Sequence, residues 1–100
     1  MESMHVLAMS VELRLPGCSS LKEKRAALKP IVDGIRHRHH VSVAETGHQD
    51  QWQRASVGVA LVASGASRAE QWMDRIERFI WSRPDVEVIT TERHWMEIDR

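Results

Sequence analysis

Val41-Ser42-Val43-Ala44-Glu45-Thr46, then Gly47-His48-Gln49-Asp50-Gln51-Trp52-Gln53-Arg54, then Ala55-Ser56-Val57-Gly58-Val59-Ala60-Leu61-Val62-Ala63: the reading of this run decides the fold. The first and third parts alternate with period two. Val41, Val43 and Glu45 interleave with Ser42, Ala44 and Thr46; Ala55, Val57, Val59, Leu61 and Ala63 interleave with Ser56, Gly58, Ala60 and Val62. Alternation of this kind is a strand with one face on a core. The middle part is too short and too polar to be a crossover helix, so two strands follow one another directly.

Outward from this hairpin, each flank repeats the same grammar. Upstream, residues 5–15 alternate, with His5, Leu7, Met9, Val11, Leu13 and Leu15 on one face, and Pro16-Gly17 ends the strand. Ser20-Leu21-Lys22-Glu23 is a capping box that opens a helix predicted over 21–38, with Leu21, Leu28, Ile31, Val32 and Ile35 on its apolar stripe. Pro30 lies inside it, where a proline removes a hydrogen bond and costs ~3 kcal/mol, so a kink near 26–30 or two abutting helices is expected. Downstream, Ser64-Gly65 breaks the strand, and Ser67-Arg68-Ala69-Glu70 reads as a second capping box. The helix it opens runs to about Ser82, with Ala69, Trp72, Met73, Ile76, Phe79 and Ile80 inward, and Pro84 stops it. Val86 to Thr91 is the last strand, extending toward Trp95.

The order is β-α-β-β-α-β. With right-handed crossovers, the compact solution is an α+β, ferredoxin-like βαββαβ sandwich: a four-stranded antiparallel sheet with both helices on one face. All 100 residues make one domain.

Composition narrows the function classes. The single Cys18 excludes an internal disulfide, and no apolar run nears the roughly 18 residues of a membrane span. The N-terminus lacks the basic region of a signal peptide, so a cytoplasmic protein without membrane attachment is expected. Net charge is zero but unevenly spread. Arg14 to Arg38 holds seven Lys/Arg against two acids, while Asp85 to Asp99 holds five acids against one arginine. Local fields therefore matter more than the total.

Several motifs together also carry a resemblance. Ser20-Leu21-Lys22-Glu23-Lys24-Arg25, Val41-Ser42-Val43-Ala44-Glu45, Gly47-His48-Gln49-Asp50 with Trp52-Gln53-Arg54-Ala55, and Ser82-Arg83-Pro84 before Val86-Glu87-Val88, in that order, resemble the YlxP-like family. This is a bacterial family of small proteins of unknown function. The resemblance spans nearly the whole chain. It implies the ferredoxin-like fold, a bacterial cytosolic setting and a role near RNA or the ribosome; it supplies no catalytic residues. Pro30, and His39 where the family resembles a large apolar residue, depart from its pattern.

The topology predicts which residues share an end. With the first strand running up, the upper end gathers 16–20, 47–53 and 82–85. Lys22, Lys24 and Arg25 there occupy the first turn of the first helix, where the macrodipole is already positive; with the free N–H groups they suit phosphate. In the hairpin loop, Trp52 suits base stacking, and His48, Gln49, Gln53 and Arg54 suit phosphate or base edges. The same residues have structural uses: Trp52 over the core, Asp50 in an Asx turn, Arg54 paired with Glu45. The leading expectation is a non-enzymatic module binding RNA or a ribosomal particle. A homodimer or protein interaction through the small, neutral sheet face around Gly58 and Ala60 is the alternative. A small hydrolase using His48 and Asp50 is a second, though the sequence places no nucleophile beside them; Cys18 lies near the helix N-terminus, which can lower a thiol pKa, but reads first as an ordinary small residue. An RNA-recognition domain stacks bases on aromatics of its sheet, whereas the outward positions here are Ala8, Ser10, Glu12, Ser56, Gly58 and Ala60. His37-Arg38-His39-His40 has no acid or cysteine beside it to complete a metal site. The chain shows no cofactor motif.

Overall fold

The computed structural model describes residues 3–99. The elements follow the predicted order: β1 (Ser3–Arg14), α1 (Leu21–His39), β2 (Ser42–Gly47), β3 (Arg54–Ala63), α2 (Ala66–Trp81) and β4 (Glu87–Asp99). All strand pairs are antiparallel, in the order β2-β3-β1-β4. This is the ferredoxin-like α+β arrangement, with β1 and β3 central.

The core follows from the alternation. Leu7, Met9, Val11 and Leu13 of β1 and Val57, Val59 and Leu61 of β3 are buried, and their cross-strand register places them on one face. Leu28, Ile31 and Ile35 of α1 and Ala69, Met73, Ile76 and Ile80 of α2 close over it. Each large apolar side chain so buried contributes about 1.5–3 kcal/mol.

Four details differ from the sequence reading. First, α1 is one continuous helix through Pro30. Pro30 and Ala26, whose carbonyl loses its partner, are both exposed, so the bond the proline removes is lost on the solvent side rather than in the core. Second, the box at Ser67 does not form. Gly65 is the N-cap without a side-chain bond, and Ala69 N–H closes the first turn on the Gly65 carbonyl at 3.2 Å. The helix thus starts directly after β3, with Ser67 inside it. Third, β4 runs to Asp99, well beyond Thr91, pairing with β1 down to Ser3. Fourth, each edge strand carries one extra residue. Thr46 bulges between Glu45 and Gly47 of β2, and Ile89 between Val88 and Thr90 of β4. Both bulges flank the Glu12–Ser56 pair of the central strands. Bulges increase local twist, so both sheet edges turn at the level of that pair.

The capping box at α1 forms with one change. The Ser20 hydroxyl accepts from Glu23 N–H at 3.1 Å, but the Glu23 carboxylate reaches back to Ser19, accepting from its N–H at 3.0 Å and its hydroxyl at 2.7 Å. Those bonds hold the Glu23 carboxyl below its ordinary pKa.

Candidate nucleic-acid interface

The upper end comprises the loops after β1, after β2 and after α2. His48 begins the β2–β3 connection in the left-handed region, φ 58°. That conformation is uncommon for a non-glycine residue, and it turns the His48 carbonyl back. Gln51 N–H donates to this carbonyl at 3.0 Å and Lys24 Nζ at 2.5 Å. Lys24 also sits 2.8 Å from Glu45. Its side chain is 2% exposed, so its charge is neutralised beneath the loop. Lys24 is therefore not a ligand for an external anion; it pins α1 to the hairpin. The expected Arg54–Glu45 pair is absent for the same reason, because Glu45 faces the helix side and is held by Lys24.

Two more predicted ligands are engaged internally. Gln49 Nε2 donates to the Glu45 carbonyl at 3.3 Å. Gln53 Nε2 donates to the Cys18 carbonyl at 3.1 Å, and Gln53 accepts from Leu15 N–H through its own carbonyl at 3.0 Å. Gln53 is thus a latch between the loops after β1 and before β3. Cys18 beneath it is buried. Burial first, then Glu23 and Asp85, raises its thiol pKa, the opposite of the lowering that a helix N-terminus suggested.

What remains outward is a set on the open sheet face. Arg14 and Arg54 lie directly opposite each other, and so do Glu12 and Ser56 one row below. The Glu12 carboxylate accepts from the Ser56 hydroxyl at 2.5 Å, faces His48 Nε2 at 3.3 Å and stands 3.9 Å from Arg54. Arg14 is 3.6 Å from Glu87. The Arg54 Nε is buried without a hydrogen-bond partner. Trp52 is 53% exposed and borders a shallow hollow of about 410 Å³ lined by residues 50–54. Lys22 and Arg25 are also exposed, but on α1 in the helix layer. The predicted set therefore divides: His48, Trp52 and Arg54 belong to the strand side, Lys22 and Arg25 to the helix side, and Lys24, Gln49 and Gln53 are structural.

Sequence reasoning missed Arg14 and Glu12. Both occupy outward positions of a plain alternation, and only the β1–β3 register pairs the two arginines. The His48–Asp50 pair of the hydrolase reading does not form; the carboxylate facing His48 is Glu12, and the nearby Ser56 hydroxyl donates to Glu12 as well.

Fold and site together define a small ferredoxin-like α+β domain with a charged, bulge-flanked upper end. Residues 6–93 match the model of a protein family of unknown function, DUF503, and the chain belongs to that family. It is 43% identical over 76 residues to the uncharacterized protein YlxP of Bacillus subtilis (strain 168), a match covering 76% of this chain and 83% of that one. Among solved structures, the de novo designed protein Foldit4 is similar with TM-score 0.51 at 15% identity, covering 97% of this chain and 98% of that one. LarC2, the C-terminal domain of a cyclometallase involved in synthesis of the NPN cofactor of lactate racemase, is similar with TM-score 0.53 at 8% identity, covering 97% of this chain and 58% of that one. At such identities the two structures share the fold alone.

Proposed function

We propose that this protein is a non-enzymatic cytoplasmic module that binds RNA, free or within a ribosomal particle, through the strand side of its upper end. The observation that carries the reading is the Arg14–Arg54 pair. Like charges directly opposite in an antiparallel ladder are destabilising, and here the nearest carboxylates stand at 3.6 Å and 3.9 Å rather than in close pairs. A phosphate between the guanidinium groups would relieve that repulsion and reach the arginine fork. Trp52 offers a ring for an unpaired base, and His48 a donor. Lys22 and Arg25 extend the positive potential around the same end.

The test is binding of labelled RNA across a salt series. Arg14→Glu with Arg54→Glu should weaken binding ~10-fold or more and flatten the salt dependence. Unchanged affinity in that variant overturns the reading.

A second reading has its own observation. The open face holds a hollow of about 440 Å³ lined by small residues including Ala8, Ser10, Ala44, Gly58 and Ala60. Beside it stand the exposed Val62 and Met96, both in register with Val6. Knobs next to a hollow on one surface are self-complementary under a two-fold axis. In this reading Ala60→Lys dissociates a dimer seen by sedimentation while RNA binding is untouched; a monomeric wild-type protein at high concentration removes it.

A further inference from the structure

Besides its solvent-facing row of Ser67, Gln71 and Arg78, α2 carries three stripes. Ala69, Met73, Ile76 and Ile80 are buried. Glu70, Asp74 and Glu77 recur at helical spacing on the flank toward β4, where Arg93 reaches Asp74 at 2.8 Å and Glu77 at 3.2 Å. Arg68, Trp72, Arg75 and Phe79 recur on the opposite flank, toward α1, and Arg83 continues their line past the helix end. This third stripe meets the C-terminal half of α1. The Arg38 guanidinium lies 4.9 Å from the Phe79 ring centroid and that of Arg83 lies 5.7 Å from it. One ring thus gathers two like charges. Among the described residues no carboxylate pairs with Arg38, Arg68, Arg75 or Arg83, although Asp33, Asp74 and Glu77 of the same layer are all paired.

Helix ends explain only part of this. The carbonyl end of α1 favours cations, which accounts for Arg36 to His40. Arg68 is in the first turn of α2, the positive end, and that turn holds no acid. Arg75 is mid-helix. The stripe from Arg68 to Arg83 extends for about 22 Å at 1.5 Å per residue, far longer than a single phosphate.

We infer that the α1-facing flank of α2 is a second nucleic-acid contact, holding the phosphodiester backbone of an RNA strand along Arg68, Arg75, Arg83 and Arg38. Phe79 acts as a positioning residue. Its ring sits against Gly34, where even a Cβ would come within 2.6 Å, and it holds two guanidinium groups ready by cation–π contact. Trp72, 37% exposed, lies in the same stripe as a stacking surface. The contact is in the helix layer, across the sheet from the Arg14–Arg54 pair, so one strand bound at both must wrap an edge of the molecule. His39 supports the field there: its imidazole pKa is lowered by burial first, then by Arg38, Arg75 and His40.

The experiment uses the full chain and a fluorescein-labelled oligouridylate, in a salt titration. Arg75→Gln with Arg83→Gln should lose ~10-fold in affinity and about 1.4 in the log–log salt slope, two single-strand phosphate contacts. Phe79→Leu, which keeps an apolar side chain, should give a smaller loss at unchanged salt slope. His39 imidazole resonances should titrate at higher pH with oligouridylate bound, because a nearby anion favours the cation. Wild-type affinity in the arginine variant, or a His39 titration unmoved by the oligonucleotide, overturns the inference. If only the Arg14/Arg54 variant loses affinity, this contact fails and the upper-end reading stands; if only the Arg75/Arg83 variant does, the reverse holds. Equal affinity for polyglutamate of the same charge overturns the assignment to nucleic acid.

Discussion

Lys24 carries the largest lesson at the scale of single residues. A lysine in the first turn of a helix reads as a solvated cation. Yet Lys24, Leu28, Ile31 and Ile35 recur at helical spacing and are all buried, so the spacing itself placed Lys24 on the apolar stripe. That signal was legible. The identity of its partners was not, since Glu45 and the His48 carbonyl come from a hairpin more than 20 residues further on. Removing one member of a fully buried ion pair costs about 3–5 kcal/mol; with Glu45 27% exposed, the cost here falls to the bottom of that range or just below it. Lys24→Met is expected to lower stability by about 2–3 kcal/mol in urea denaturation, and adding Glu45→Leu to restore most of it. A Lys24→Met protein of full stability would mean the pair is not formed. His39 gives a pH prediction. Its folded pKa is lowered, so the unfolded chain binds more protons as pH falls. Stability should therefore decline from near the ordinary histidine value of about 6.5 downward through the folded pKa. His39→Gln should flatten that part of the urea-midpoint profile between pH 7 and 5. Cys18, buried with a raised pKa, should alkylate slowly in the native protein and rapidly in denaturant.

Among the elements, the helices and three strands were readable because their periods are clean. The fourth strand was readable in place but not in full length, and its bulge is the reason. Thr91, Arg93 and Trp95 share the helix-side face with Val88, a spacing of three and then two. No single alternation spans that, so the pattern breaks at Ile89 and leaves the far end of the strand unmarked. The same element carries Arg93, whose bonds to Asp74 and Glu77 fix α2 against the sheet, a tie invisible without the register. At the helix pair, Gly34 reads as a weak point of α1. It is a contact instead, since the Phe79 ring occupies the space a side chain would take. Replacing an exposed helix glycine with alanine ordinarily stabilises by about 1 kcal/mol. Here Gly34→Ala should destabilise by about 1–2 kcal/mol through overpacking. Pairing it with Phe79→Leu should return the sign to stabilising, a comparison made by thermal melting of the single and double variants.

Over the whole molecule, neutrality conceals segregation. The tally of charges along the chain gives a basic segment from Arg14 to Arg38 and an acidic tail; in space the division is by surface. Arg14 and Arg54 face out from the sheet, Arg68 and Arg75 lie on the α1-facing flank of α2, and the acids of α2 turn toward β4. None of this follows from linear charge counts, because strand register and helical phase assign each charge its side. Charge-reversing Arg14 and Arg54 should therefore leave the His39 titration in place, which NMR of the variant would check. The two edge bulges have a further use. Each is one inserted residue in an otherwise regular ladder: without Ile89, Thr90 stays opposite Glu12 and Val88 opposite Leu13; without Thr46, Glu45 stays opposite Val57 and Gly47 opposite Ser56. A single deletion at either site leaves every side chain on its own face. The curvature of the upper end is thus a separable trait, erasable one codon at a time while its chemistry is kept, and a ligand fitted to a flat sheet would tell the two deletions from the parent.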